Sequence, residues 1–160
     1  PRLAGMPTPD FVLDLRSRIG THPLWLSGVT AVVLRGDEVL LVRRADNARL
    51  TPVTGIIDPG EEPAVAAVRE VLEEAGVVAQ AEALVWVHAL PPMTYDNGDQ
   101  AQYLDIVFRC RYVSGEPHPA DGENTEALWR RLDDLGDVSA EMRERIRQAA
   151  TGGEVARFAR

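Results

Sequence analysis

Residues 55–77 constrain this chain more than any other segment, because they join a glycine-containing turn to an acidic helix. Their sequence is GIIDPGEEPAVAAVREVLEEAGV. Between Glu61 and Glu74 the segment carries five carboxylates and one arginine, Arg69. Like charges three or four residues apart destabilise a helix by roughly 0.2–0.5 kcal/mol per pair. The uncompensated charge therefore predicts that a cation from outside the helix balances this cluster.

The segment from Glu62 to Ala75 is predicted to be helical. Pro63 suits the first helical position, where its missing N–H is no loss, and Gly76 supplies a left-handed stop. The helical period places the predicted buried stripe at Val65, Val68, Leu72 and Ala75, widened by Ala64 and Val71. The opposite side is predicted to carry Glu70, Glu73 and Glu74.

Three glutamates on one helix face suggest a metal site. Glu70 and Glu74 are i,i+4 neighbours, and Glu73 follows Glu70 at i,i+3. Clustered carboxylates on a rigid face suit Mg²⁺ or Mn²⁺, which prefer hard oxygen ligands. The competing interpretation is an ordinary solvated acidic face. The glycine turn and the fixed spacing favour the metal site.

The segment resembles the Nudix box, G-x5-E-x7-R-E-U-x-E-E-x-G-U with U an aliphatic residue, at every specified position. The resemblance implies an α+β protein with the Nudix fold, an α/β/α sandwich around a mixed β-sheet. It implies a Mg²⁺- or Mn²⁺-dependent hydrolase that acts on a small-molecule nucleotide. The cleaved pyrophosphate bond belongs either to a nucleoside diphosphate linked to another moiety, as in ADP-ribose, or to a nucleoside triphosphate.

Other functions remain open beside this one. A Nudix-like sensor that binds a nucleotide without cleaving it is the main alternative, and such proteins usually lose box glutamates that this chain keeps. An interaction protein that uses the acidic helix as a surface is a third. A Nudix isomerase needs a catalytic cysteine, and Cys110 is predicted to lie in the core.

The resemblance assigns roles to individual residues. The implied metal ligands are Glu70, Glu73, Glu74 and the carbonyl of Thr54, and the three glutamates are also the implied catalytic residues. The implied structural residues are Gly55, Glu61, Arg69 and Gly76, with Arg69 pairing with Glu61 to hold the helix to its preceding loop. The identity of the general base stays open between the glutamates.

Some members of this family use an additional glutamate from a later loop. Glu123 is the better-placed candidate for that catalytic role, and Glu126 is the second. Weaker candidates for substrate binding are Arg43 and Arg44, at the end of a predicted strand, and Tyr95 in a predicted loop. Each also suits an ordinary surface or turn position.

Size and charge limit the classes of function. A chain of 160 residues with net charge −8 suits one globular domain and does not suit a protein that coats nucleic acid. The domain is predicted over residues 28–150, between an N-terminal segment (1–27), with a short helix expected over residues 10–19, and a C-terminal tail (151–160). With Cys110 as the sole cysteine and no long apolar run, we expect a cytoplasmic protein without membrane contact. Homodimer formation stays open.

The remaining pattern predicts the order of elements. Residues 29–34 and 39–43 are predicted to form a β-hairpin, and residues 103–113 alternate as a strand with Asp105 on its polar face. Ser139 is predicted to cap a final helix over residues 140–150. His22, His88 and His118 fit no metal-ligand spacing and are interpreted as structural.

Overall fold

The computed structural model describes residues 8–160; residues 1–7 of the predicted N-terminal segment lie outside the described residues. Within that range the elements, in chain order, are α1 (Asp10–Ile19), β1 (Leu24–Arg35), β2 (Glu38–Arg44), β3 (Leu50–Thr51), β4 (Val53–Ile56), α2 (Pro63–Ala75), β5 (Val78–Ala89), β6 (Met93–Thr94), β7 (Gln100–Ser114), β8 (Asn124–Arg131) and α3 (Ala140–Thr151). The predicted hairpin, box helix and terminal helix are confirmed. β1 begins at Leu24, within the segment predicted to precede the domain.

The strands form one mixed sheet. Its central order is β3-β2-β1-β7-β5, with β4 paired to β1, β6 to β7 and β8 to β2. β1 and β7 run parallel from Leu24↔Ala101 to Leu34↔Arg111, whereas β1 is antiparallel to β2 and β4. The sheet therefore places β4, which contains Gly55, and the middle of β7 on either side of β1.

Helices cover both faces of this sheet. Val29, Ala31 and Val33 of β1 pack in one apolar cluster with the side chains of α2. Val32, between them, packs in a second cluster with Ile146 of α3. Because successive strand residues point to opposite faces, α2 and α3 lie on opposite sides. The predicted α/β/α sandwich with a mixed sheet is confirmed.

The predicted buried face of α2 is only partly right: Val71 and Ala75 are buried as predicted, but the two largest predicted core residues are not. Val65 and Leu72 are 55 % and 52 % exposed. The sheet instead covers the face that carries Ala66, Ala67, Val71, Glu74 and Ala75. Hydrophobicity assigned the largest apolar side chains to the core, whereas the helix docks on its alanine-rich face, whose short side chains leave room for β4 and β5. As a result Glu74 is buried instead of facing solvent.

The ends of α2 and α3 follow their sequence signals. Gly76 ends α2 with φ 66° and ψ 17°, in the left-handed region. Ser139 Oγ accepts a hydrogen bond of 3.3 Å from the backbone N–H of Met142, so the predicted N-cap of α3 is confirmed. Cys110 is buried in the core, as expected. In the described part of the chain, no helix combines the length and apolar character that a membrane span requires.

Candidate active site

Glu70 lies against Gly55 of strand β4. A side chain at Gly55 would overlap the carboxylate of Glu70, so only glycine leaves the space that this carboxylate occupies. Oε1 of Glu70 accepts a 2.8 Å hydrogen bond from Nη1 of Arg69. Burial raises the pKa of Glu70 to about 7, although the charge of Arg69 acts in the opposite direction.

Glu74 is the most buried carboxylate of α2, at 3 % exposed. Its Oε2 accepts a hydrogen bond of 2.9 Å from Nδ2 of Asn124, the first residue of β8. Burial raises the pKa of Glu74 to about 8; the Asn124 bond and the positive charge of Arg44 partly offset the shift, and repulsion from Glu70 and Asp121 adds to it. A neutral amide is thus the hydrogen-bond partner of a carboxylate that is almost fully desolvated.

The loop before β8 brings Glu123 to this cluster. The loop docks on the end of α2, where the N–H groups of His118 and Ala120 donate to the carbonyls of Ala75 and Glu74 at 3.1 Å each. Burial raises the pKa of Glu123 to about 8, with repulsion from Glu74 as the next cause. The candidate Glu123 therefore lies in the electrostatic neighbourhood of Glu74. The second candidate, Glu126, pairs instead with Arg43 at 2.7 Å.

Arg69 ties α2 to the preceding loop. Its Nε and Nη2 donate to the two carboxylate oxygens of Glu61 at 2.7 and 2.9 Å. Glu61 in turn accepts the backbone N–H of Asp58 at 3.1 Å. The Arg69 guanidinium lowers the pKa of Glu61. The expected Arg69–Glu61 contact is present, and Glu73 joins it through a 3.0 Å bond to Arg69 at an exposed position.

The donor set fits a divalent cation. As the side chains stand, no three His, Cys, Asp or Glu groups among residues 8–160 converge closely enough to hold an ion. Glu70, Glu74 and Glu123 nevertheless repel one another electrostatically while all three are partly or largely desolvated. A cation among their oxygens would relieve that repulsion.

A cavity of about 500 Å³ opens beside Gly55. Thr54 and Arg44 line it, and Arg44 pairs with Asp46 at 2.7 Å. Tyr95 also lines it, with its hydroxyl 2.8 Å from that of Tyr103. Arg43 is not part of the lining, since its guanidinium contacts Glu126 and Asp137.

The sequence patterns did not identify a second cluster of polar side chains, around Asp105, in this cavity wall. Asp105 was expected on the polar face of its strand, yet it is 4 % exposed because α3 covers that face. Its Oδ1 accepts from Thr30 Oγ1, and its Oδ2 accepts from Arg145 Nε and contacts His88 Nε2, each at 2.8 Å. The local signal was a single aspartate inside the apolar run LDIVF. Its partners come from β1, β5 and α3, so spacing alone does not reveal them.

Comparison with known proteins places these features in a family. The model of the NUDIX domain matches residues 25–150. A MutT-like protein of Streptomyces ambofaciens is 31 % identical over 121 residues, covering 75 % of this chain and 73 % of that protein. The NAD-capped RNA hydrolase NudC of Pseudomonas aeruginosa is 33 % identical over 125 residues, and the chain covers only 41 % of its length.

Comparison with solved structures gives the same family. A solved NUDIX hydrolase from Nitrosomonas europaea superposes with a TM-score of 0.68 at 26 % identity, covering 83 % of this chain and 93 % of that one. The family match spans the sheet, the box helix and α3 together, so it does not depend on the 55–77 segment alone. This chain therefore belongs to the NUDIX domain family and is a hydrolase of phosphoanhydride bonds.

Proposed function

We propose that this protein hydrolyses the pyrophosphate bond of a nucleoside diphosphate linked to another moiety, or of a nucleoside triphosphate, in a reaction that requires Mg²⁺ or Mn²⁺. The observation that carries the proposal is Glu74, a nearly fully buried carboxylate that repels Glu70 and hydrogen-bonds to a neutral amide. Burying such a charged group destabilises the folded state unless a cation balances its charge.

Glu70, Glu74 and Glu123 hold the cation in this proposal, with the carbonyl of Thr54 as a further ligand at the cavity wall. Glu73 is more exposed than these glutamates, and in this proposal it is a ligand at the edge of the cation site. When bound, the divalent cation neutralises phosphate oxygens and lowers the pKa of water near the attacked phosphorus. With net charge −8, the protein needs that neutralisation to accept an anionic substrate.

The other box residues support this arrangement. Arg69 and Glu61 keep α2 aligned with the preceding loop, and Gly55 leaves space for the Glu70 carboxylate. Gly76 lets the chain leave α2 while His118 packs over it, which holds the loop that carries Glu123. Arg44 and Tyr95 line the cavity next to this centre and are the proposed contacts to substrate.

The substrate is a small nucleotide in this proposal. The P. aeruginosa relative is named as a hydrolase of NAD-capped RNA, and NAD joins two nucleosides through a pyrophosphate. The acidic charge of this chain opposes contact with a long RNA backbone. We therefore favour free dinucleotides, nucleotide sugars and triphosphates over capped RNA.

The test is a panel of these compounds with Mg²⁺, with Mn²⁺ and with EDTA, comparing wild type with Glu74→Gln. Glu82→Gln is the matched control, because Glu82 lies on β5 and pairs with Arg111 at 3.1 Å. We expect metal-dependent cleavage by wild type and by the control. Loss of one key electrostatic group commonly lowers kcat by ~10²–10³, and that is the loss expected for Glu74→Gln.

Two outcomes would contradict the proposal. Equal turnover by wild type and Glu74→Gln would remove Glu74 from the chemistry. Binding of nucleotides without cleavage of any compound would support the sensor alternative instead.

A further inference from the structure

Arg145 of α3 is a charged side chain held rigidly in the wall of the cavity. It is 3 % exposed and lines the cavity together with Asp105 and Thr30. Its Nε donates to Oδ2 of Asp105 at 2.8 Å, and its Nη1 donates to the backbone carbonyl of Glu141 at 3.1 Å. Among the described residues, none accepts a hydrogen bond from Nη2.

The group around Arg145 offers a hydrogen-bond donor to the cavity. Asp105 only accepts, and it already accepts from Thr30, Arg145 and His88, whose Nε2 must be the donor toward a carboxylate. Its acceptor capacity is therefore largely taken by the protein. Within this group, Nη2 of Arg145 has no hydrogen-bond acceptor among residues 8–160, and a ligand that reaches it must present an acceptor.

The rest of the wall indicates what kind of acceptor fits. Flat or flexible apolar side chains line the same cavity: Leu90, Met93, Tyr103 and Met142. Its charged groups are two arginines, Arg44 and Arg145, and three aspartates, Asp46, Asp96 and Asp105. Both arginines have carboxylate partners. A second phosphate is therefore disfavoured here, whereas the neutral carbonyl of a nucleobase between apolar walls is favoured.

We infer that Arg145 is a specificity-determining residue, whose Nη2 donates to the carbonyl oxygen of the substrate's nucleobase and selects a 6-oxopurine over adenine. Adenine carries an amino group at the corresponding position, which sets a donor against a donor. Arginine pairs with the O6 and N7 acceptors of guanine for the same reason. The inference rests on the proposed function, since it assumes that the cavity receives the nucleoside of the substrate.

The test compares inosine and adenosine α,β-methylene diphosphates, which differ in the base at position 6 and in the proton on the adjacent N1, and resist cleavage between the phosphates. Their dissociation constants are measured by calorimetry with Mg²⁺ for wild type, Arg145→Lys and Arg147→Lys. Lysine retains a cation for Asp105 but loses the forked guanidinium. Arg147 is the matched control, because it lies on the same helix, is exposed and pairs with Glu144.

We expect wild type and Arg147→Lys to bind the inosine analogue about tenfold more tightly, and Arg145→Lys to bind both analogues within about twofold. A wild-type ratio near one, a preference for adenine, a ratio unchanged in Arg145→Lys, or no binding of either analogue would each overturn the inference. If Arg145→Lys does not fold, binding of the analogue whose base is unsubstituted purine is measured with wild type instead. That analogue must bind as weakly as the adenosine analogue, and binding equal to the inosine analogue refutes the carbonyl contact.

Binding and cleavage separate the two proposals. A preference for inosine without hydrolysis of any compound would contradict the proposed function and leave the role of Arg145 standing. Hydrolysis that is indifferent to the base at position 6 would do the reverse.

Discussion

Glu74 and Asp105 are two almost equally buried carboxylates, 3 % and 4 % exposed, with opposite surroundings. Asp105 is surrounded by donors, namely the hydroxyl of Thr30, the ring of His88 and the guanidinium of Arg145. Glu74 has the amide of Asn124 and the positive charge of Arg44, which also pairs with Asp46, while Glu70 and Asp121 repel it. One carboxylate pairs directly with an arginine, whereas the positive charge of Arg44 does not offset the burial and repulsion that raise the pKa of the other.

The difference separates a structural acid from the acid that we propose to bind a cation. A buried ion with a matched partner can remain charged without outside help, because its desolvation is offset locally. A buried ion without one either takes a proton or binds a cation. The same substitution, carboxylate to amide, should therefore have opposite consequences at the two positions.

The largest expected effect is at Asp105. Asp105→Asn places an amide N–H among existing donors and leaves Arg145 buried without its carboxylate. Removing one partner of a buried pair commonly destabilises a protein by about 3–5 kcal/mol, and we expect a loss in that range in urea-denaturation experiments. Asp133→Asn, at an exposed position paired with Arg131, is the control and should leave the unfolding midpoint unchanged. An unfolding midpoint of Asp105→Asn equal to that of wild type would contradict the proposed difference between Asp105 and Glu74.

Metal addition should act only through the Glu74 cluster. A ligand at 100 times its dissociation constant stabilises the folded state by about 2.7 kcal/mol, and we expect a rise of that order with saturating Mg²⁺ or Mn²⁺. The rise should be largely lost in Glu74→Gln and kept in Asp105→Asn, measured by thermal unfolding against EDTA. An equal rise in wild type and Glu74→Gln would show that the cation binds elsewhere.

The smallest expected effect is the pH dependence of the metal-free protein. The pKa of Glu74, about 8, lies above its ordinary value of 4.5. The protonated acid's stabilising contribution is therefore fully present below the ordinary value and is lost as pH rises through about 8. Glu74→Gln has no such group. In EDTA, the free energy of unfolding of Glu74→Gln relative to that of wild type should therefore rise between about pH 6 and about pH 8.5. The expected rise is at least about 1.4 kcal/mol, which corresponds to one pKa unit.

That pH prediction has a clear contrary result. A free-energy difference between the two proteins that stays constant across this range would mean that Glu74 does not change its protonation there. It would also weaken the argument that Glu74 is short of positive charge.

Much of the fold was predictable from local patterns. The hairpin, the box helix and the capped α3 follow from turn residues, periodicity and caps, which act within a few residues of the chain. The buried face of α2 followed only in part: Val71 and Ala75 are buried as predicted, but Val65 and Leu72, which are more hydrophobic than the alanines that the sheet covers, are exposed. Hydrophobic content identifies an amphipathic helix, but the shape of the opposing sheet selects the face that docks.

The candidate site divides in the same way. Glu70, Glu73 and Glu74 were identified from their spacing, since one helix turn sets their separation. Glu123 was a candidate from its loop position, and the loop contacts with the end of α2 bring it to Glu74. Asp105 and Arg145 were not found, because they lie on different elements, 40 residues apart, and meet only in the folded chain.

By itself, the amino-acid sequence determined the family, the acidic helix and the cap residues, because each depends on neighbours within one or two helical turns. Only the tertiary structure decided that Glu74 is buried without a full cationic partner and that Asp105 is buried with one. Burial and charge compensation are set by side chains that arrive from distant strands and helices. These long-range contacts distinguish Glu74, which we propose to bind a cation, from Asp105, which is bonded to its neighbours in the cavity wall.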